Sequence, residues 1–275
     1  PTPEALLADE DIEAVFVCTN AASHYTLAKQ ALLARKHVLI EKPICDTAEQ
    51  IRELAQLFDD ATAYGQIKNP NPINVKLEAM KGLFDGTKKL YISADYGKEI
   101  IEAVQFAKSK GVKSIVIIGG EESLLAADFL RDNNVPVIVS GTHRLPNSID
   151  DDTDLPYKLP QLLAQKGVTV GLAYIGMHWR TRNLPFLAGT VAGHGMSKDD
   201  ALKLVTINNA KILGIDKYVG SLEVGKQATL VVSQGDLLDM RSAKVEQAFI
   251  QGKKLDLDDK QKRLYKKYSE KYGTK

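Results

Sequence analysis

Cysteine is nearly absent. Cys18 and Cys45 are the only two in 275 residues, and without C-x-x-C spacing they supply neither a disulfide framework nor a thiolate metal site. No apolar run approaches the roughly 20 residues of a membrane span, and no basic-then-apolar leader is present. A cytoplasmic location is therefore the default expectation. Charge of one sign is lacking too: 36 Lys and Arg offset 35 Asp and Glu, for a formal net charge of +1. That balance gives no electrostatic case for nucleic acid or a membrane surface as partner. Histidine is sparse, with His24, His37, His143, His178 and His194 the only five and no H-x-H among them. A G-x-G-x-x-G turn is missing as well; GGEES at 119–123 has the wrong spacing. What remains is 44% hydrophobic and 26% charged, an ordinary composition for one large domain or two small ones.

The apolar pattern alternates strand and helix. PEALLADEDIEA reads as an acidic amphipathic helix and loop, and AVFVCT as a short buried strand carrying Cys18. HYTLAKQALLARK follows as a helix with Ala28, Ala31, Leu32 and Leu33 on its apolar side. HVLIEKP is a second buried strand that ends at Glu-Lys-Pro, and TAEQIRELAQLF a second helix with Thr47 as its N-cap. Two apolar strands joined by a helix make a βαβ unit with parallel strands. The Asn- and Pro-rich stretch GQIKNPNPIN, residues 65–74, reads as a loop or junction, and VKLEAMKGLFDG as a helix stopping at Gly86. Four further βα units follow, led by KLYISAD, SIVIIGG, VPVIVSGTH and VTVGLAYIG. SKDDALKLVTINNAKILGI reads as one more helix, with Ser197 as N-cap and Asp199 and Asp200 in its first turn. SLEVGKQATLVVSQGD and KVEQAFIQGKKLDL then alternate as strands with turns at Gly225, Gly235 and Gly252. The end, DDKQKRLYKKYSEKYGTK, is a mixed-charge run with tyrosines, either a solvated terminal helix or a docking helix.

Residues Asp11 to Leu54, through VCTN, His24 and KHVLIEKP, resemble the nucleotide-binding domain of the Gfo/Idh/MocA family of NAD(P)-dependent oxidoreductases. This chain departs from the family pattern at Glu13 and at Ala21-Ala22. The resemblance implies cofactor-side roles for Thr19, Asn20, Glu41, Lys42 and Pro43. The family's Gly-rich turn, which holds the pyrophosphate at a helix N-terminus, has no counterpart here.

From about residue 58 onward the chain resembles the C-terminal half of an amidohydrolase of the imidazolonepropionase type. KLYISADYGKEIIEAVQFAKSKGVKSIVIIGG, RNLPFLAGTVAGHGMSKDDALKLVTINNAKILGI, VGSLEVGKQATLVVSQGD and VEQAFIQGKKL carry that resemblance. It implies zinc or a similar divalent metal at the C-terminal mouth of a barrel, held by histidines of the fifth and sixth strands and an aspartate of the eighth. Ser93, Gly119 and Ile175 stand at those positions, and none is a metal ligand. The resemblance therefore implies hydrolysis of non-peptide C–N bonds, of the cyclic amide or imidazolone class, impaired by ligand loss.

Other strand ends carry chemistry-bearing side chains. Asp95, Glu121, Glu122, His143 and His178 all follow strand C-termini, where side chains can converge, although carboxylates there also suit helix starts. His143 with Arg144 suits an anionic ligand, so His143, Arg144 and Asp95 are the catalytic candidates, with no metal ligand assigned. His194 is placed near a helix end and His37 at a strand start. DDDTD at 150–154 reads as a solvated turn, lacking the Gly and Glu of a calcium loop. Trp179, beside Arg180 and Arg182, reads as a lid-packing residue or a ligand-stacking one.

The expected architecture is α/β: an incomplete (β/α) barrel or open parallel sheet of about six strands, with a small accessory β-sandwich layer. Its expected parts are a Rossmann-like βαβ segment at 1–57, amidohydrolase-like βα repeats at 58–214, and sandwich strands with a terminal helix at 215–275. A natural fusion, an engineered chimera and a misassembled gene all give this join. No bound cofactor is expected. The partner expected is a small-molecule ligand, and exposed sheet edges favour a homo-oligomer. An NAD(P)-binding oxidoreductase and a non-catalytic ligand-binding or scaffold protein are the alternative functions.

Overall fold

Short β-branched runs and capped helices alternate through most of the chain. The computed structural model describes residues 2–12, 14–17, 19–34, 36–40, 47–146, 149–174 and 178–273. They form two compact units, 1–140 with 162–169, and 141–161 with 170–275.

The first unit begins with α1 (Pro3–Ala8), capped by Thr2, whose Oγ1 accepts the Ala5 N–H at 3.3 Å. β1 (Ala14–Val17), α2 (Ala21–Leu33) and β2 (His37–Ile40) follow. The two strands pair in parallel, Ala14 opposite His37 through Val17 opposite Ile40, which is the expected βαβ unit. They form a two-stranded sheet of their own, so the expected run of six parallel strands is divided. α3 (Ala48–Gly65) starts at Thr47, whose Oγ1 accepts the Gln50 N–H at 3.2 Å. It runs unbroken across residue 58, burying Phe58, Ala61 and Tyr64. α4 (Val75–Asp85) is capped by the Asn74 side chain and ends at Gly86, whose φ of 89° lies in the left-handed region favoured at helix C-termini.

Strand β3 (Leu90–Ala94), helix α5 (Gly97–Ser109) and strand β4 (Ile115–Gly119) continue the alternation. A 3-10 turn, α6 (Ala127–Asp132) and β5 (Val137–Ser140) come next. β3, β4 and β5 are parallel, with Ala94 opposite Gly119 and Gly119 opposite Val139. Val116, Ile117 and Val137 are fully buried with Ile100, Val104 and Leu130, so these strands are covered on both faces, as parallel sheets require. The Phe58 ring meets Phe106 of α5 edge-on, with centroids 5.8 Å apart, and Lys110 Nζ lies 2.7 Å from both carboxylate oxygens of Asp59.

α7 (Leu155–Gln165) carries Pro160, and β6 (Val170–Ala173) follows it. In the second unit, α8 (Leu184–Gly193) is succeeded by α9 (Lys198–Leu204) and α10 (Ile207–Leu213). A single helix was expected over the last two. The chain instead breaks at Thr206 (φ −127°, ψ −101°), and Asn208 and Asn209 then donate to the Val170 and Leu172 carbonyls at 2.9 and 2.8 Å. Pairing the two amides with β6 requires a second helix axis.

The accessory layer is a three-stranded antiparallel sheet of β7 (Leu230–Gln234), β8 (Lys244–Ile250) and β9 (Lys253–Lys254). Gly225, Gly235 and Gly252 have positive φ at its turns, as expected. Residues 221–224 run from a bend into a turn, not in the strand that their alternation suggested. α11 (Lys260–Tyr272) closes the described chain. Among the described residues no helix is long and apolar enough to cross a membrane.

Candidate functional site

In the first unit the C-terminal ends of β3 and β4 interlock. Gly119 (φ +102°) and Gly120 (φ +68°) turn the chain out of β4. The Gly120 N–H then donates to the Ala94 carbonyl and the Glu122 N–H to the Asp95 carbonyl, both at 2.8 Å. Glu122 Oε2 accepts the Gly97 N–H at 2.9 Å, so its carboxylate caps α5, favourably placed at the positive end of the helix. Asp95 is half-buried, and its Oδ1 lies only 2.3 Å from where a Cβ at Gly119 would sit. Position 119 therefore accepts no side chain without displacing that carboxylate. Ser93, opposite Ile118, offers a hydroxyl at the position where the resemblance implies an imidazole.

In the second unit the candidates gather around Thr190 of α8. His143 Nε2 lies 2.5 Å from Thr190 Oγ1, and that hydroxyl donates to the Phe186 carbonyl at 3.0 Å. The hydroxyl lone pair then accepts from His143, which assigns the Nε2–H tautomer from the network. Partial desolvation pushes the His143 imidazole below its ordinary pKa, favouring that neutral form. The Thr190 carbonyl accepts from His194 Nδ1 at 2.9 Å, and the His194 ring packs on Tyr157 with centroids 4.9 Å apart. His194 directly follows α8, as expected, and occupies one of its orphan carbonyls. Buried Thr142 holds the preceding loop by donating to the Leu187 carbonyl at 3.3 Å. Arg144 Nη1 donates to the Leu145 carbonyl at 3.1 Å.

Trp179 is 56% exposed, and the Arg180 and Arg182 guanidinium carbons lie 5.0 and 5.6 Å from its ring centroid. This presents an exposed indole flanked by cations. In the acidic run, Asp152 accepts the Asp154 N–H at 3.0 Å, and Lys158 Nζ lies 3.1 Å from Asp152 and 3.4 Å from Asp154. Both contacts hold the Asp152 carboxyl below its usual range, the backbone bond more strongly. Lys158 thus pairs with two of the four carboxylates of this turn.

The cofactor-side candidates are occupied locally. Thr19 Oγ1 lies 2.6 Å from Ser23 Oγ, and Asn20 Oδ1 accepts the Ser23 N–H at 3.2 Å, capping α2. His24, 2% exposed, bonds the Thr19 carbonyl through Nε2 at 2.9 Å. Cys18, Glu41, Lys42, Pro43, Cys45 and Ile175 lie outside the described residues, as does the side chain of His178. The sequence reading passed over Thr190, Asn208 and Asn209. The paired Asn in TINNAK was the available signal for the last two; nothing in the apolar pattern marks Thr190.

Two family models match separate parts of the chain. Residues 1–66 match the oxidoreductase family with an NAD-binding Rossmann fold, and residues 169–255 match the amidohydrolase family. The uncharacterized oxidoreductase YhhX of Escherichia coli is 48% identical over 54 residues, covering 20% of this chain and 16% of that protein. An imidazolonepropionase of Shewanella frigidimarina is 32% identical over 139 residues, covering 50% of this chain and 29% of that one. The crystal structure of an amidohydrolase from Thermotoga maritima superposes with a TM-score of 0.64 at 26% identity, covering 75% of this chain and 55% of its own. The chain thus spans less than two thirds of each relative. The fold is α/β with a parallel sheet, similar to amidohydrolase structures.

The implied metal position is the one the described residues fit least. The resemblance implies a metal ligand at position 119, where a Cβ would lie 2.3 Å from Asp95 Oδ1. Among the described residues no group of three His, Cys, Asp or Glu side chains is arranged to hold a metal ion. Thr19 and Asn20, the described residues on the implied dinucleotide side, bond within their own turn.

Proposed function

We propose that this chain is an amidohydrolase-derived protein of the class acting on non-peptide C–N bonds in cyclic amides or imidazolones, with its metal-dependent hydrolysis impaired. The carrying observation is the end of β4. The reaction class uses a metal-activated water, and the strand position implied to supply a ligand is a positive-φ glycine overlapped by Asp95 Oδ1. Its neighbour Glu122 is committed to capping α5.

The ligand is a small molecule with anionic character. Arg144 brings positive charge to this loop, beside a His143 whose Nε2–H is given to Thr190 Oγ1. The expected three-part division at residues 57 and 214 belongs to the same proposal, as does association through open sheet edges. Turnover measured with zinc-supplemented protein on five- and six-membered lactams and imidazolones tests the reading. Rates at the level of buffer are expected, and saturable hydrolysis of any of these substrates contradicts impairment.

A second reading rests on the match of residues 1–66 to a dinucleotide-binding family. NADH fluorescence titration separates the two. Absence of saturation favours a structural role for the N-terminal βαβ unit, whereas micromolar saturation abolished by Lys42→Ala favours the oxidoreductase reading.

A further inference from the structure

We propose that α11 is a docking element for an anionic phospholipid surface. It lies beyond residue 255, where the amidohydrolase match ends. The helix is well delimited: Asp259 Oδ1 accepts the Lys262 N–H at 2.8 Å, and Gly273 closes it with a φ of 64°. Its 13 residues include none that is buried. A helix of that length is marginal in water when nothing packs on it, so a surface that covers one face supplies what it lacks.

Its two faces are chemically distinct. At 100° per residue, Leu264, Tyr265, Tyr268 and Tyr272 fall within an arc of about 100°. Tyr265, Tyr268 and Tyr272 are 70, 46 and 66% exposed, and the last two rings stack with centroids 6.1 Å apart. Lys260 and Lys271 border one side of this stripe, and Lys262 and Lys266 the other. Arg263 and Lys267 complete the cationic face, with Glu270 its one carboxylate. Lys267 and Lys271 lie 5.8 and 5.1 Å from the Tyr268 and Tyr272 ring centroids. Arg263 Nε is 3.8 Å from Asp258, and Lys262 Nζ donates to the Leu257 carbonyl. Six cations against one carboxylate give the helix +5, while the whole chain carries +1, so the near-neutral total conceals a strongly basic terminus. The whole-chain expectation of no membrane partner is thereby revised for this segment alone.

Lipid accounts for both faces together. Tyrosine rings seat at headgroup level, flanking lysines extend their stems to reach lipid phosphates, and the helix lies in the interface plane. A nucleic-acid duplex would engage the cations and leave the tyrosine stripe in water.

The test is co-sedimentation of the full chain with phosphatidylcholine vesicles containing roughly one third phosphatidylserine, and with phosphatidylcholine alone, at about 0.15 M salt. Binding to the anionic vesicles only, weakened by added salt, is expected. Each basic residue contributes roughly fivefold, so Lys262→Gln, Lys266→Gln and Lys271→Gln together lower partitioning on the order of a hundredfold. Tyr265→Ser with Tyr268→Ser and Tyr272→Ser lowers it with the charge intact. Both triple variants alter exposed side chains only, and far-ultraviolet dichroism checks that they fold. Equal binding to neutral vesicles, no binding to either, or binding of duplex DNA that the tyrosine changes leave unaltered overturns the proposal.

Discussion

Replacing Gly119 by Ala adds one methyl group at the strand end that decides the chemistry. Its Cβ would lie 2.3 Å from Asp95 Oδ1 and 3.2 Å from the Ala94 carbonyl oxygen. The carboxylate must retreat by about 1 Å to reach ordinary contact, yet the Asp95 carbonyl is already bonded to the Glu122 N–H. Overpacking of this kind costs about 1–3 kcal/mol. The backbone adds its own penalty, because φ is +102° at this residue, a region costing a side-chain-bearing residue about 1–3 kcal/mol. The expected loss is therefore about 2–6 kcal/mol, read as a lowered midpoint in urea denaturation followed by circular dichroism. Gly119→Ala combined with Asp95→Ala relieves the overlap and recovers part of the loss, leaving the backbone share. Gly119→His, which restores the imidazole of the implied ligand set, is expected to destabilise at least as much. A Gly119→Ala protein within about 0.5 kcal/mol of the parent, the range of neutral surface changes, would refute the reasoning.

Three further outcomes follow from the second unit. Gly171→Ala places a Cβ 1.9 Å from Asn209 Oδ1, an atom that is buried without a hydrogen-bond partner; a loss of about 1–3 kcal/mol is expected, partly reversed by Asn209→Ala in the same chain, and no reversal contradicts the packing account. Gly189→Ala inside α8 gains about 1 kcal/mol of helix propensity, but its Cβ would stand 2.0 Å from the Leu238 carbonyl oxygen, so thermal denaturation is expected to show net destabilisation; a stabilised variant means that the Leu238 loop yields. For His143, burial lowers the folded-state pKa, so the unfolded chain binds the proton first as pH falls. Its contribution is present above the unfolded value near 6.5 and is lost as pH falls through that range toward the folded pKa; an NMR titration is expected to give a midpoint below 6.5, and one at or above it contradicts the partly desolvated, Thr190-bonded imidazole.

The strand–helix alternation was legible because the parallel strands are short apolar runs and several helix starts carry their own cap. Thr47 and Ser197 cap as read, and the Ser197 hydroxyl accepts the Asp200 N–H at 3.1 Å. Such signals are local, and a window of a few residues holds them. Contacts between distant segments are not local. That Asp95 crowds the Cβ position at Gly119, or that Thr190 meets His143, depends on segments 24 and 47 residues apart. The break at Thr206 escaped for the same reason, since the apolar period continues through it while the Asn208 and Asn209 amides answer to β6. Substitution of the implied ligands was readable at positions 93, 119 and 175; that position 119 also lacks room for one was not.

The central claim is that the implied ligand position at 119 holds no metal-binding group. It is tested most directly by the zinc content of the full chain, saturated with zinc, freed of excess by gel filtration and measured by mass spectrometry. The account predicts well under one zinc per chain, unchanged in Gly119→Ala. One tightly retained zinc per chain, lost on substituting Asp95 or His143, would contradict it.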